Sequence, residues 1–491
     1  MSRAPQRGGD GVPKRTTAPR TASGTGSGAG TEAALRVARR RYVTVCALFW
    51  LPPGLAMAPL VLLFTERGMA LTAIAGFFAA HSLTVAALEL PTGGLSDALG
   101  RRPVLAVAGA LNAIALVIHG LAGTAWVLVL GMVLMGAARA LASGPAEAWY
   151  VDSVQAAAGP DADLRTGLAR GSSATAAALA VGIVLGGAVP WLLDRTAGLG
   201  PLLTESTSGL VLPLSVPVLL GAAVELVFLC YVLSALREPP RPPVTSRSVL
   251  RGVPGAVLSG VRLGGRDATV RRILLTAAAA GSAVAALELL MPGRAVTLTG
   301  APESGALLFA ALACGGFVSS GIGSHLAPFL ARLTGSGERA VLAGLGTGTA
   351  GLLLLGVTAT GTQRHPVSFA LVAVGFGLVY LGLGAAGPNE NELLHRRVPG
   401  DARATALSVQ SLAQQSVGAV TGVVVGALDP GPWPWLLTAA VLLTGALLWT
   451  RRGDRPPAAG GPDRPAGPTE VPRSRERREA PATTTAPTVE A

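Results

Sequence analysis

Arg139 and Glu147 stand eight positions apart in an otherwise apolar stretch, residues 125–151. An ionisable side chain is costly in such surroundings, so by default it marks an ion, proton or substrate pathway. On one helix, eight residues separate the pair by roughly 12 Å along the axis and about 80° around it. Both can face one interior cavity, but they are too far apart to pair directly. Glu225 lies near the middle of another apolar stretch with no local partner. Desolvation favours the neutral form of a carboxyl, which suits Glu225 to proton exchange near neutral pH. Glu390 and Glu392 fall in the polar segment "GPNENELLH", followed by His395, Arg396 and Arg397. Two readings stay open for that segment: the lining of a cavity or gate, or a wet interface. Gln410, Gln414 and Gln415 can hydrogen-bond a substrate or a neighbouring helix. Glu89 and Glu288 lie nearer the ends of their stretches and give weaker signals, and His81 and His325 are single imidazoles that packing can explain.

These residues need long apolar elements to hold them. The chain has 491 residues, 50% hydrophobic and only 13% charged, against about a quarter charged in soluble proteins of this size. About twelve runs of largely apolar residues recur, at 43–65, 70–95, 103–122, 125–151, 172–194, 211–235, 272–292, 304–331, 340–361, 366–394, 404–428 and 431–450. Each is long enough to cross a hydrocarbon core of about 30 Å. Few alternate with a period of two, which favours helices over a β-barrel. The expectation is an all-α integral membrane protein of twelve transmembrane helices. Its many Gly and Ala residues fit helices that pack closely in lipid.

The formal charge of +12 would suit nucleic acid if it were clustered, but its placement reports topology instead. With the N-terminus taken as cytoplasmic, Arg67, Arg195, Arg294 and Arg364 are the only basic residues in the outer loops. That asymmetry follows the positive-inside rule. Both termini are therefore expected in the cytoplasm, with the chain multi-pass in the plasma membrane. Cys46, Cys230 and Cys314 sit in three different runs and show no disulfide or metal-ligand spacing. Neither a metal nor a cofactor is expected.

The polar segment from Arg237 to Arg272 divides the runs six and six. "GPAEAWYVD" at Gly144 is matched by "GPNENELLH" at Gly387, "GIVLGG" at Gly182 by "GVVVGA" at Gly422, and "GRRPVL" at Gly100 by "GERAVL" at Gly337. The order is kept and the offset is nearly constant, as in a parallel internal repeat with a midplane site between the halves. Five segments are expected: a disordered cytoplasmic tail, 1–41; a six-helix bundle, 42–236; a cytoplasmic loop, 237–271; a second six-helix bundle, 272–450; and a disordered tail, 451–491.

Between the second and third runs lies "GGLSDALGRRPVL". Gly93, Gly94 and Gly100 permit a tight reversal. Arg101 and Arg102 hold the loop in the cytoplasm, and Asp97 can pair with them or sit at the positive N-terminus of a neighbouring helix. This stretch resembles the loop signature of the major facilitator superfamily, with Gly93, Leu95, Asp97, Gly100, Arg101, Arg102 and Leu105 in matching positions and Ala98 departing from the usual basic residue. The "ELPT" before it and "RALASGPAEAWYVD" are similar to segments of actinobacterial-type efflux permeases. The resemblance covers about residues 42–450. It implies two pseudo-symmetric six-helix bundles, a gate contact between Asp97 and a helix starting near Arg403, and a role for Arg139 in proton relay. The alternative for Arg139 is a structural pin. "AVGIVLGGAV" partly resembles the antiporter signature of drug exporters, with Ile183 where proline is usual.

The leading reading is a secondary active transporter with protons as coupling ion, exporting a small apolar or amphipathic compound by alternating access as a monomer in the lipid bilayer. The rival is symport of a small polar metabolite into the cell. An integral-membrane enzyme would need clustered ligands or a nucleophile–base pair, and neither is present; a sensor has no positive feature behind it. The chain also lacks a phosphate-binding GxxxxGK[ST].

Overall fold

The computed structural model describes residues 25–196, 198–238, 262, 265, 267–360, 365–398 and 403–450. Side chains at 25–29, 90, 91, 93–95, 97 and 403–405 are outside that description. The described residues form helices and no strand: α1 (Thr25–Met57), α2 (Leu60–Glu66), α3 (Leu71–Leu99), α4 (Arg101–Leu121), α5 (Ala125–Ala142), α6 (Pro145–Ala158), α7 (Arg165–Arg195), α8 (Leu199–Ser206), α9 (Ser215–Ala235), α10 (Ala268–Thr299), α11 (Pro302–Thr334), α12 (Gly337–Thr358), α13 (Pro366–Arg397), α14 (Arg403–Gly426) and α15 (Pro432–Leu447).

Among the described residues, nine helical spans are long and apolar enough to cross a membrane, and α1 with α2, bent by 42° at the break between them, makes a tenth. Helices α14 and α15 occupy the last two apolar runs. Packing repeats from one half of the chain to the other. In the first half α1 packs on α7, α3 on α5, and α4 on α9; in the second, α10 packs on α14, α11 on α13, and α12 on α15. Two six-helix bundles with the same internal pairing result. They meet through α3 against α14 and α7 against α11.

Small residues set these crossings. A Cβ on Gly182 of α7 would stand 2.5 Å from the Leu51 carbonyl oxygen, and one on Gly54 of α1 would stand 2.6 Å from that of Leu179. The two backbones therefore touch, as helices do in lipid when dispersion rather than hydrophobic exclusion holds them. The reversal between α3 and α4 is made at Gly100 alone, at φ +98°. Gly93 and Gly94, expected to share that turn, continue α3 as helix, because one positive-φ residue is enough to end it.

Three further expectations change. Residues 25–41, assigned by composition to a disordered tail, belong to α1; the segment from Glu32 to Arg41 is made of strong helix formers, and Ala38 is buried against the first bundle. Arg139 and Glu147 do not share a regular helix, since the chain breaks at Ser143 and Gly144, where φ is +107°. A short helix, α8, stands between α7 and α9 where no element was expected. The tails before Thr25 and after Thr450 lie outside the described residues.

Two of the arginines expected in outer loops bind helix ends. Arg67 donates to the His119 carbonyl at 3.3 Å, to the carbonyls of Gly120 and Ala122, to the Leu210 carbonyl at 3.3 Å, and to Ser215 Oγ at 3.1 Å. It thereby caps the C-terminus of α4, where a cation meets the negative end of the helix dipole, and ties it to α9. Arg294 donates to the Thr358 carbonyl at the C-terminus of α12, the repeat counterpart of α4. Both arginines thus have a capping role whichever side of the membrane they face. Arg364 lies outside the described residues.

Candidate functional site

Helix α3 approaches α5 closely because Gly136 has no side chain: a Cβ there would stand 2.7 Å from the His81 carbonyl oxygen. Thr92 Oγ1 donates to the Ala140 carbonyl at 2.9 Å and fixes the same pair one turn further on. Between these contacts α5 projects Arg139. Its guanidinium lies over the indole of Trp50 on α1, 4.6 Å from the ring centroid, a cation–π contact that fixes the charge against α1.

Arg139 is accessible to solvent yet has two carboxylates within electrostatic reach, Glu89 on α3 and Glu288 on α10. The three groups thus come from both bundles. Glu89 lies in the half of α3 towards Gly100 and accepts a hydrogen bond from Ser411 Oγ on α14 at 2.8 Å. That bond also crosses between bundles. Glu288 lies in the opposite half of α10. It is followed four residues later by Pro292, which has no N–H to give to the Glu288 carbonyl. Helix α10 is therefore weakened at the residue that carries the charge, as in the interrupted helices of transporters.

Aromatic groups stand beside Glu288. Tyr380 on α13 is close enough to interact with it electrostatically, and Tyr380 packs against Phe317 and Phe376 with ring centroids 5.8 Å and 5.0 Å away. His81 faces Arg139 from α3. The set holds one guanidinium and two carboxylates, none in a direct ion pair among the described residues, drawn from both bundles. Sequence reasoning found Arg139 and ranked Glu89 and Glu288 below it. The spacing of Glu288 and Pro292 within an apolar run was the available signal.

The other sequence candidates lie elsewhere. Glu147 is exposed in the first turn of α6, near Tyr42 and Cys46 of α1. Glu225 is fully buried between α9 and α4, where the Asn112 amide donates to Oε1 and Oε2 has no partner. Phe228 fills the space beside it. Glu390 is buried on α13 beside Thr276 of α10, within the second bundle. Glu392 forms an exposed ion pair with Arg396 at 2.5 Å. Gln414 is exposed on α14, its backbone against Gly281 of α10. None of these joins Arg139. A surface cleft of about 440 Å³ between Arg332, Gly337, Glu392 and Arg396 is also remote from it.

At the loop before α4, Arg101 donates to Ser96 Oγ at 2.7 Å and reaches Asp152 of α6 at 3.7 Å. Arg102 donates from its side chain to the Leu233 carbonyl of α9 and from its backbone N–H to Glu238. Glu238, which the sequence did not single out, places its carboxylate at the N-terminus of α4, the positive end of the helix dipole. The basic pair therefore binds α3, α4, α6 and α9 into one end of the first bundle. The side chains of Leu95 and Asp97 are outside the described residues, and the gate contact expected of Asp97 falls there with them.

Comparison with known proteins agrees with this architecture. No curated protein sequence matches the chain. Among solved structures it is similar to the nucleoside transporter NupG, with 12% identity over 84% of this chain and 98% of that one and a TM-score of 0.64. It is also similar to a bacterial homolog of the human lysosomal transporter Spinster in an inward-facing, unoccupied conformation, at 16% identity, 85% and 96% coverage and a TM-score of 0.62. A D-xylose–proton symporter matches at 17% identity, 84% and 96% coverage and a TM-score of 0.60. At such identities the likeness concerns the fold. The sequence profile of the Major Facilitator Superfamily matches residues 44–423, and the chain belongs to that superfamily of transporters.

Proposed function

We propose that this transporter is proton-coupled, works by alternating access, and exports a small amphipathic compound. The observation that carries the coupling is the sharing of Arg139, Glu89 and Glu288 between the two bundles. A proton taken up by Glu288 removes an attraction to Arg139 that spans the gap, and so biases which side of the gap opens. The moving bodies are residues 42–236 and 272–450, with 237–271 as the cytoplasmic link, and both termini lie in the cytoplasm of a plasma-membrane protein that acts as a monomer. The small-residue stripe Gly182–Gly186 seats α7 on α1, and an aliphatic chain with few charges favours an amphipathic cargo.

The polar groups around Arg139 favour one second reading, uptake of a polar metabolite by symport. Accumulation of a compound panel in cells with and without the protein separates them, repeated with the proton gradient collapsed. An energised fall in accumulation supports export, and an energised rise supports symport. Transport that survives collapse of the gradient unchanged overturns proton coupling. Orientation is tested by labelling single cysteines introduced at Ser23 and Thr245 in a cysteine-free background; labelling of either from outside intact cells overturns it.

A further inference from the structure

We infer that the amphipathic cargo enters the gap sideways, from the membrane leaflet at the Gly100 end, through an opening between α7 and α11. The inference rests on the cargo and orientation proposed above, which make that leaflet the cytoplasmic one. The bundles meet along two seams, and the seams differ. Along α3 and α14 they are bonded at both ends: Thr72 Oγ1 donates to the Gly426 carbonyl at 2.9 Å, and Ser411 Oγ to Glu89 at 2.8 Å. Along α7 and α11 the close approach lies in the half away from Gly100. A Cβ on Gly187 would stand 2.6 Å from Ala310 Cβ, and Cys314 Sγ lies 4.0 Å from the Ala180 carbonyl oxygen. Gly321 follows Cys314 by about two turns on the same face of α11, yet a Cβ there would meet nothing within 4 Å.

Burial follows the same division. In α7, Gly182, Ile183, Gly186, Gly187 and Pro190 are buried, whereas from Arg165 to Val181 only Gly167 and Gly171 are. Those two seat Tyr150 and Tyr42. Ala169, Ser173 and Ala176 share the face that carries Ala180 and Gly187, and all three are exposed. In α11 the residues from Gly321 to Phe329 are exposed except Gly323 and Ala327, and Gly323 stands against the Leu381 carbonyl of α13. The two helices therefore part as a wedge, closed at Ala180 and Cys314.

The wedge opens onto lipid. Val181, Val184, Leu185 and Leu192 are exposed on α7, and Val318, Ile322, Leu326, Phe329 and Leu333 on α11. They recur at helical period, and in a membrane transporter such stripes lie against acyl chains. Exposed Arg170 precedes Val181 by about three turns on the same stripe, where its charge can reach the headgroups. The helix from Arg170 to Ala180 is about 15 Å long, half of a hydrocarbon core of about 30 Å. The opening is therefore as deep as one leaflet. Its walls make few polar demands, because the hydroxyls of Ser173, Ser319 and Ser324 already donate to backbone carbonyls. An apolar tail passes such walls without leaving a polar group unpaired.

The test uses the full-length protein in phosphatidylcholine nanodiscs and two photoreactive probes. One is dodecanol with a diazirine at its chain end; the other is a sulfonated diazirine confined to water. Adducts are located by mass spectrometry. The dodecanol probe should label α7 between Ala169 and Ala176, α11 between Gly321 and Phe329, and the gap at Trp50. In the double variant Ala176→Trp, Gly321→Trp its labelling of Trp50 should fall at least about tenfold, with labelling of Val181 and Val184 unchanged. Labelling of Trp50 by the sulfonated probe should not change. Gly321→Ala, which adds one methyl in open space, should keep the parent pattern, and thermal unfolding establishes that each variant is folded. Undiminished dodecanol labelling of Trp50 in the folded double variant, or an equal fall with the sulfonated probe, would overturn the inference. Either result alongside gradient-driven transport would leave the proposed coupling standing. A selective loss of dodecanol labelling, with transport indifferent to the gradient, would support the opening and defeat the coupling.

Discussion

Glu225 and Glu288 are both carboxyls in long apolar helices, and the fold treats them in opposite ways. Glu225 is sealed inside the first bundle, with Asn112 on one oxygen and Phe228 beside it. Both helices that enclose it, α4 and α9, belong to the same bundle, so a rigid motion of that bundle leaves its surroundings unchanged. Glu288 stands on α10 opposite Arg139 of α5, and any separation of the bundles alters the distance between them. On the proposed mechanism burial alone does not make a coupling residue; a charge shared between the two bundles does. The arginines divide likewise. Arg67 staples helix ends within one bundle, while Arg139 lines the gap.

The largest effect is expected at Arg139. Arg139→Gln removes the cation that Glu89 and Glu288 share, and loss of a charged interaction costs about 1.5–3 kcal/mol. Gradient-driven transport in proteoliposomes should fall about a hundredfold or more. Near-normal rates would reduce Arg139 to a structural pin and erase the contrast drawn above.

Arg67→Gln should act on stability instead. It loses charged hydrogen bonds to the end of α4 and to Ser215, each worth about 1.5–3 kcal/mol. The expected loss is about 3 kcal/mol, seen as a lowered midpoint of thermal unfolding, with the protein that remains folded transporting at a normal rate. A coupling defect without a stability defect would place Arg67 on the wrong side of the comparison.

The smallest effects are predicted for Glu225→Gln and Glu147→Gln. Glutamine keeps the size of Glu225 and its contact with Asn112, so stability should change by less than about 1 kcal/mol. Gradient-driven transport should stay within about twofold of the parent for both, a difference of roughly 0.4 kcal/mol. Loss of coupling in Glu225→Gln with exchange intact would move the proton site into the first bundle.

Much of this architecture could be read from one-dimensional pattern, and the reasons differ by feature. Apolar length gave the spans because the hydrocarbon thickness is fixed. The repeat showed at Gly144 and Gly387 and at Gly182 and Gly422; of these, Gly182 sits where two helix backbones touch and Gly144 where φ is positive, each a place that favours glycine. Arg139 was visible because a charge inside an apolar run has no cheap alternative explanation. Glu288 was undervalued because its distance from the end of a run says nothing about what faces it; that depends on how the two bundles pack. Glu238 escaped because it follows the apolar run of α9 and acquires its role only when α4 begins beside it. Arg67 and Arg294 looked like exceptions to a charge rule, since capping partners on other helices leave no local mark. Residues 25–41 look polar enough for a tail, yet Ala, Leu and Arg in that order are also good helix formers.

The central claim is that proton coupling resides in the charges shared between the bundles. The most direct measurement takes the compound identified by the panel and reconstitutes Glu288→Gln in proteoliposomes. Gradient-driven transport is then compared with exchange of labelled for unlabelled compound at zero gradient. The account predicts that the variant loses the first and largely keeps the second, because exchange moves no net proton. Gradient-driven transport at the parent rate in Glu288→Gln would contradict it.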